Sequence, residues 1–271
     1  MFLIFDTETT GLPERNNAPL QDLDNWPRIV QLAWQFHDLK GTFIEAKNYI
    51  IKPEGFIIPY SAEKVHGIST ARAEAEGADL KEVLIEFAED IENAVALIGH
   101  NIEFDVNIVA AEFIRAGISN TFLDKPRICT KVESTDFCAL PGGRGGKFKW
   151  PNLKELYFRL FNEDFPEAHN AAGDVNATAR CFLELVRTGV IGDDKLPLTR
   201  EALAEFIAVN KEPFPLFEGI LDNSKKPGEN PAEESPAHSH TDTEETQEQE
   251  SEDKLFVHLH VHTQYSILDG A

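Results

Sequence analysis

The segment that most constrains this chain is its opening, where Phe2, Leu3, Ile4 and Phe5 run straight into Asp6, Thr7 and Glu8. The apolar run reads as a strand that turns polar at its C-terminal end. Residues two apart on a strand share a face. Asp6 and Glu8 therefore project together, their Cα atoms about 6.5–7 Å apart. Two carboxylates so placed repel, and without a counter-ion at least one should have a raised pKa. A divalent cation relieves that repulsion, and ligands that are all oxygen suit Mg²⁺ or Mn²⁺. Taken alone, such a pair is more often an ordinary solvated strand end.

Beyond the Thr-Gly-Leu-Pro turn at 10–13, residues 28–38 and 42–53 read as two further strands joined by a short antiparallel connection at Gly41 and Thr42. Leu80, Val83, Leu84, Phe87 and Ile91 recur at helical spacing over 79–93. A short buried strand over 94–101 leads directly into a helix over 102–116, ended by Gly117. A fifth strand is predicted at 126–132, then a glycine-rich loop at 142–146, and helices at 153–161, 174–187 and 199–210. Three strands in a meander, then strands alternating with helices, predict an α/β fold: a mixed five-stranded sheet flanked by helices.

Two more acidic clusters lie far from the first in the sequence. In the stretch from Gly99 to Asp105, Asn101 is positioned to cap a helix whose first turn holds Glu103 and Asp105. Favourable charge at a helix N-terminus accounts for that pattern by itself. In the stretch from His169 to Asp174, five helical steps rotate by about 140°, so the two side chains cannot share one face of a regular helix. Either they are unrelated, or His169 lies on a loop leading into the helix that carries Asp174. A loop suits a base that must approach and leave a bound water.

Together, Phe-Asp-Thr-Glu-Thr-Thr-Gly at 5–11, His-Asn-Ile-Glu-Phe-Asp at 100–105 and His-Asn-Ala-Ala-Gly-Asp at 169–174 closely resemble the three motifs of the DEDD 3′–5′ exonucleases. The histidine before the last aspartate marks the DEDDh branch. The likeness spans about residues 1–190 and is greatest to the proofreading (epsilon) subunits of bacterial DNA polymerase III, including Val-His-Gly-Ile-Ser at 65–69. This resemblance implies a ribonuclease H-like fold and a metal-dependent enzyme that releases nucleoside 5′-monophosphates from DNA 3′ ends. It also implies that Asp6, Glu8, Asp105 and Asp174 hold two divalent cations, Mg²⁺ or Mn²⁺, with His169 as general base. Asp6 would bridge the cations, Glu8 and Asp174 would complete the site on the nucleophile side, and Asp105 would serve the other. Thr9, Thr10, Val65 and His66 are implied contacts of the terminal nucleotide, though turn chemistry explains them equally. An RNA-trimming enzyme of the same branch, or an inactive module used for assembly, is the alternative.

Composition limits the partners. The formal charge is −22 over 271 residues, which argues against a protein that coats polyanions but not against an enzyme gripping a few nucleotides through cations. Residues 125–154 run the other way: seven Lys or Arg against two acids, net +5, with Phe148 and Trp150 interleaved. That suits a single strand followed by charge and stacking, and suits a solvated loop equally. Cys129, Cys138 and Cys181 form no CxxC, so neither a disulfide framework nor a zinc ribbon is indicated. The N-terminus lacks a basic region ahead of its apolar run, and apolar stretches fall short of the roughly 18–20 residues that span a bilayer. A cytoplasmic protein without a membrane partner is the expectation.

From Asp222 to Asp253, eleven acids face two lysines, net −9, and the only aliphatic side chains are Ala232 and Ala237. Such a stretch cannot bury enough surface to order itself and reads as a disordered linker, with an r.m.s. span of about 30 Å. The domain reading is therefore 1–220 folded, 221–254 linker, and 255–271 the start of something else. In that last segment His260, His262 and Ser266 resemble the first motif of the PHP domain that opens the polymerase III alpha subunit. The resemblance implies an exonuclease joined in cis to a DNA polymerase III alpha subunit.

Overall fold

The opening strand forms as β1, Phe2–Thr9, the centre of a five-stranded sheet. The structure is a computed structural model, and it describes residues 1–164 and 170–217. β2 (Ile29–His37) pairs antiparallel with β1, and β3 (Phe43–Ile50) antiparallel with β2. On the other side β4 (Ala96–Gly99) pairs parallel with β1, and β5 (Arg127–Cys129) parallel with β4. The order β3-β2-β1-β4-β5 is the mixed sheet predicted from the pattern of elements.

Helices cover both faces. They are α1 (Tyr60–His66), α2 (Thr70–Glu76), α3 (Leu80–Glu92), α4 (Ile102–Ala116), α5 (Thr130–Glu133), α6 (Thr135–Cys138), α7 (Leu153–Phe161), α8 (Ala171–Arg187) and α9 (Arg200–Val209). β1 divides the core by its alternation. Phe2 and Ile4 join Val175 and Phe182 of α8 in one apolar cluster, with Phe2 edge-on to Phe182 at 5.1 Å. Leu3 and Phe5 join Phe87 of α3 and Val106 and Phe113 of α4 in another, where Phe5 lies 5.7 Å from Phe87. α8 is buried nearly all round, which a helix tolerates only when sandwiched. Its sandwich is closed by α9 and the segment after it, through Phe206 and Phe214.

Several boundaries differ from the sequence reading. The predicted fifth strand stops at Cys129, because Thr130 begins a helical turn instead. The strand predicted to run to residue 53 stops at Ile50, and Ile51 forms a single parallel bridge to Ala78. α8 begins at Ala171, not Asp174, because the Asn170 side chain accepts from the Ala172 N–H and starts the helix three residues earlier. α1, α2, α5 and α6 are too short for periodicity to reveal. All described residues fall within one packed unit, Met1–Asn230, while the predicted linker and the segment 255–271 lie outside the described residues. None of the described helices is long and apolar enough to cross a membrane.

Candidate active site

Period-two alternation carries the face of Phe2 and Ile4 onward to Asp6 and Glu8, the face on which α8 packs. The first turn of α8 begins with Ala171 and Ala172, both buried in the Ile4 cluster, and these small side chains let its N-terminus approach β1. Asp174 sits on that turn. Asp6, Glu8 and Asp174 each present a carboxylate oxygen, and the three oxygens lie within 4.8 Å of one another. Segments more than 160 residues apart in sequence thus meet at one point.

Asp105 reaches β1 differently. β4 pairs with β1 only as far as Ile4 opposite Ile98, so beyond that point the β1 edge has no strand partner on this side. Asp105, in the first turn of α4 and 3% exposed, takes the place of a strand there. One of its oxygens accepts the Thr7 N–H at 3.0 Å and the Thr7 hydroxyl at 2.7 Å. Asp105 is not among the three mutually close carboxylates, yet its charge acts on both Asp6 and Glu8. Its neighbour Glu103 turns outward to Arg127 at 3.2 Å.

Crowding of the half-buried Asp6 and Glu8 and the buried Asp105 shifts their protonation. Burial above all, then the charges of Asp105, Asp174 and Glu8, holds Asp6 well above the usual carboxylate range. Burial and the charges of Asp174 and Asp105 push Glu8 up to about 8. Asp105 rises to about 7, burial outweighing the two Thr7 hydrogen bonds that favour its charged form. A donor set made only of oxygens and mutually close fits divalent cations.

The predicted nucleotide contacts split. Thr9 and Thr10 follow a register shift in which Glu8 faces Gln31 but Thr9 faces Ile29, an irregularity of the kind that re-aims side chains beside sites. The Thr9 hydroxyl donates to the Gly11 carbonyl at 2.7 Å, and the Thr10 hydroxyl accepts the Arg28 N–H at 3.0 Å, so both serve the turn. Val65 is 52% exposed. His66 is buried; its Nδ1 accepts the Ile68 N–H at 3.1 Å, and its Nε2 faces the Thr9 backbone without completing a hydrogen bond. His169 lies outside the described residues. Asn101 occupies the N-terminal position of α4 as predicted, but in a left-handed conformation and without capping through its side chain.

Two supporting groups escaped the sequence reading. Gln31, opposite Glu8 on β2, donates to Asn48 Oδ1 at 2.8 Å and Asn170 Oδ1 at 3.3 Å, and accepts the Ala171 N–H at 3.3 Å. This chain of amides ties the start of α8 to β2 and β3. The signal was present: Gln31 is a polar side chain in a strand buried along its whole length. Thr7 is the other, a hydroxyl between two acids.

With this geometry in view, comparison with known proteins gives a consistent result. Residues 3–182 match the model of the exonuclease family (RNase_T). A DNA polymerase III subunit epsilon-like protein of Rhodobacter capsulatus is 31% identical over 188 residues, 68% of this chain and 23% of the relative. The crystal structure of E. coli exonuclease I in complex with a dT13 oligonucleotide superposes with a TM-score of 0.53 at 22% identity, over 69% of this chain and 41% of that one. A product-bound structure of exonuclease I gives 0.54 at 21% identity, over 69% and 43%. The chain thus spans about a quarter of the curated relative and two fifths of exonuclease I, and the latter likeness bears on the fold alone.

Proposed function

The chain belongs to the exonuclease family, whose members use divalent metal ions, and on that footing we propose that it removes nucleoside 5′-monophosphates from DNA 3′ ends. The observation that carries the proposal is the meeting of Asp6, Glu8 and Asp174 within 4.8 Å at the end of β1. Two cations bound by these residues and Asp105 would supply positive charge to the phosphate and to the attacking and leaving oxygens. The chain's own groups do the rest. Asp6 and Glu8 fix the binding point through a strand that has core on both faces, and Thr7 orients Asp105. His169, just ahead of the Asn170 cap, takes the proton of the attacking water, a task suited to an imidazole titrating near neutrality. As water attacks phosphorus, the bond to the 3′ oxygen of the preceding nucleotide breaks. Thr9, Thr10, Val65 and His66 line the approach of the terminal nucleotide.

The same reading extends to replication proofreading, with a DNA polymerase III alpha subunit in cis. It is supported by the epsilon-like relative and by the likeness of residues 256–271 to the opening of a PHP domain. A tether raises the local concentration of nuclease at the primer end without a strong interface.

The test is a 5′-labelled DNA oligonucleotide incubated with Mg²⁺ or Mn²⁺. Wild type should shorten it stepwise from the 3′ end and release 5′-monophosphates. Asp6→Ala should lose most of that activity together with cation binding, whereas His169→Ala should bind cation and cleave about 10²–10⁴-fold more slowly. Equal rates for Asp6→Ala and wild type would refute the assignment. Degradation of a matched RNA in place of the DNA would move it to the RNA-trimming alternative.

A further inference from the structure

The carboxylates account for the terminal phosphodiester but not for how the rest of a strand is held. β1, β4 and β5 are parallel and end at one edge of the sheet, the edge outside which open α/β folds bind ligands. β1 delivers Asp6 and Glu8 there. β5 stands two strands away, about 10 Å, and delivers Lys131 just past its end.

Lys131 is not alone. Its Nζ lies 5.3 Å from the centre of the Trp150 ring and 3.5 Å from Asn101 Oδ1, the residue that starts α4 in a left-handed conformation. Trp150 is 63% exposed, whereas Trp26 and Trp34 are buried in the core. An indole left in water beside a cation needs a reason, and its placement is a built one. His100, at the end of β4, bridges the Thr130 hydroxyl at 2.9 Å and the Pro151 carbonyl at 3.1 Å. Burial holds that imidazole neutral, near 4, so the bridge persists at physiological pH. Ahead of Trp150, the Lys149 N–H donates to the Leu140 carbonyl at 2.9 Å and closes a loop that exposes Arg144 and Lys147. The loop is tight: a side chain at Gly143 would meet the Lys147 and Phe148 backbone at 2.3 Å.

We propose that Lys131 and Trp150 form a second strand-binding platform, on which a base upstream of the 3′-terminal nucleotide stacks while Lys131 meets a backbone phosphate. This rests on the nuclease reading and deepens it, from a site that cuts one bond to one that grips several nucleotides. The ligand is a single strand, because stacking on an indole requires an unpaired base. Sequence preference is not expected, since every base has a face to stack. Arg144 and Lys147 extend the cationic track outward.

The test compares two substrates, oligo(dT) of twelve residues and the p-nitrophenyl ester of thymidine 5′-monophosphate, which has no upstream nucleotides. Trp150→Ala should raise KM for the oligonucleotide about tenfold or more, so that the ratio of kcat/KM for oligonucleotide over ester falls by the same factor. Trp150→Phe should restore most of that ratio. Lys131→Ala should flatten the dependence of log KM on log salt by about 0.7, one phosphate contact on a single strand. An unchanged KM for the oligonucleotide, or an equal loss on both substrates, would overturn the platform. Intrinsic fluorescence separates this from failure of the nuclease reading. Quenching of the exposed indole by the oligonucleotide supports the platform even if neither substrate is hydrolysed, and absence of quenching refutes it.

Discussion

Thr7 donates its backbone N–H and its hydroxyl to the same oxygen of Asp105, at 3.0 and 2.7 Å. The residue between the two acids of the opening strand thus holds a third acid from another element, through the edge that β4 leaves open. Hydrogen bonds to charged groups contribute about 1.5–3 kcal/mol. Thr7→Val keeps the shape and the N–H but removes the hydroxyl. It should lower kcat about tenfold with little change in KM and lower the stability of the cation-bound protein by about 1–2 kcal/mol. Steady-state kinetics and thermal unfolding with Mn²⁺ check this; wild-type kcat in Thr7→Val would mean that Asp105 needs no such support.

Raised carboxyl pKa values set the sign of a second prediction. Glu8 near 8 and Asp105 near 7 mean that the folded chain without cation binds more protons than the unfolded chain between about pH 4 and 8. The contribution of these groups to stability is therefore full below their unfolded values and is lost as pH rises through 7 to 8. Cations compete with those protons. The rise in Tm on adding millimolar Mn²⁺ should be larger at pH 8 than at pH 6, with protons released on binding. Calorimetry in two buffers of different ionisation heat reads the release, and equal Tm increments at both pH values would contradict it.

Gln31 should act on the rate through Asn170 and the start of α8. Gln31→Leu leaves the Ala171 N–H and the Asn48 oxygen without the Gln31 amide, takes one of two donors from the Asn170 oxygen, and should cost about 2–3 kcal/mol of stability. If the amide chain positions Asp174, kcat should fall while KM for the oligonucleotide stays, and Gln31→Glu should not restore it, because a carboxylate cannot donate to Asn48. A stability loss with kcat intact would make the network structural only.

His37 provides a test away from the site. It is fully buried, its Nδ1 3.0 Å from the Gly41 carbonyl, and its ring 4.6 Å from Phe217. Burial lowers its pKa to about 4. For a base so depressed, stability is complete above the unfolded value near 6.5 and is lost as pH falls toward 4. About 3 kcal/mol should disappear over that window. His37→Gln should flatten the acid limb of a urea-unfolding series; an identical limb would assign acid sensitivity elsewhere.

How much of this was legible in the sequence differs by residue. Asp6 and Glu8 were readable because a strand's period is two and the apolar run fixes which residues form the strand. Asp174 was readable only as part of three motifs, since nothing local says that a helix 160 residues later packs against β1. The boundaries at Asn170 and Thr130 were misplaced because single side-chain caps and half-turns outweigh apolar periodicity at element ends. Gln31 and Thr7 were overlooked because their partners, Ala171 and Asp105, come from other elements, and pairing across elements leaves no spacing to detect. Trp150 stood out by composition and Lys131 only as one of seven basic residues; the His100 bridge to Pro151 and the Lys131 contact with Asn101 tie both to the edge that holds the acids.

The division of β1 between two apolar clusters bears on when the molecule becomes capable of cutting. Leu3 and Phe5 gather their partners from the first half of the chain, while Phe2 and Ile4 wait for α8 and the segment beyond it. A nascent chain can therefore settle its early layer and bring Asp105 to Thr7 while Asp174 is still unmade. Until the late layer docks, the acids on β1 lack their third member. On the proposed reading, the carboxylate set that holds the cations is complete only once this second layer has packed.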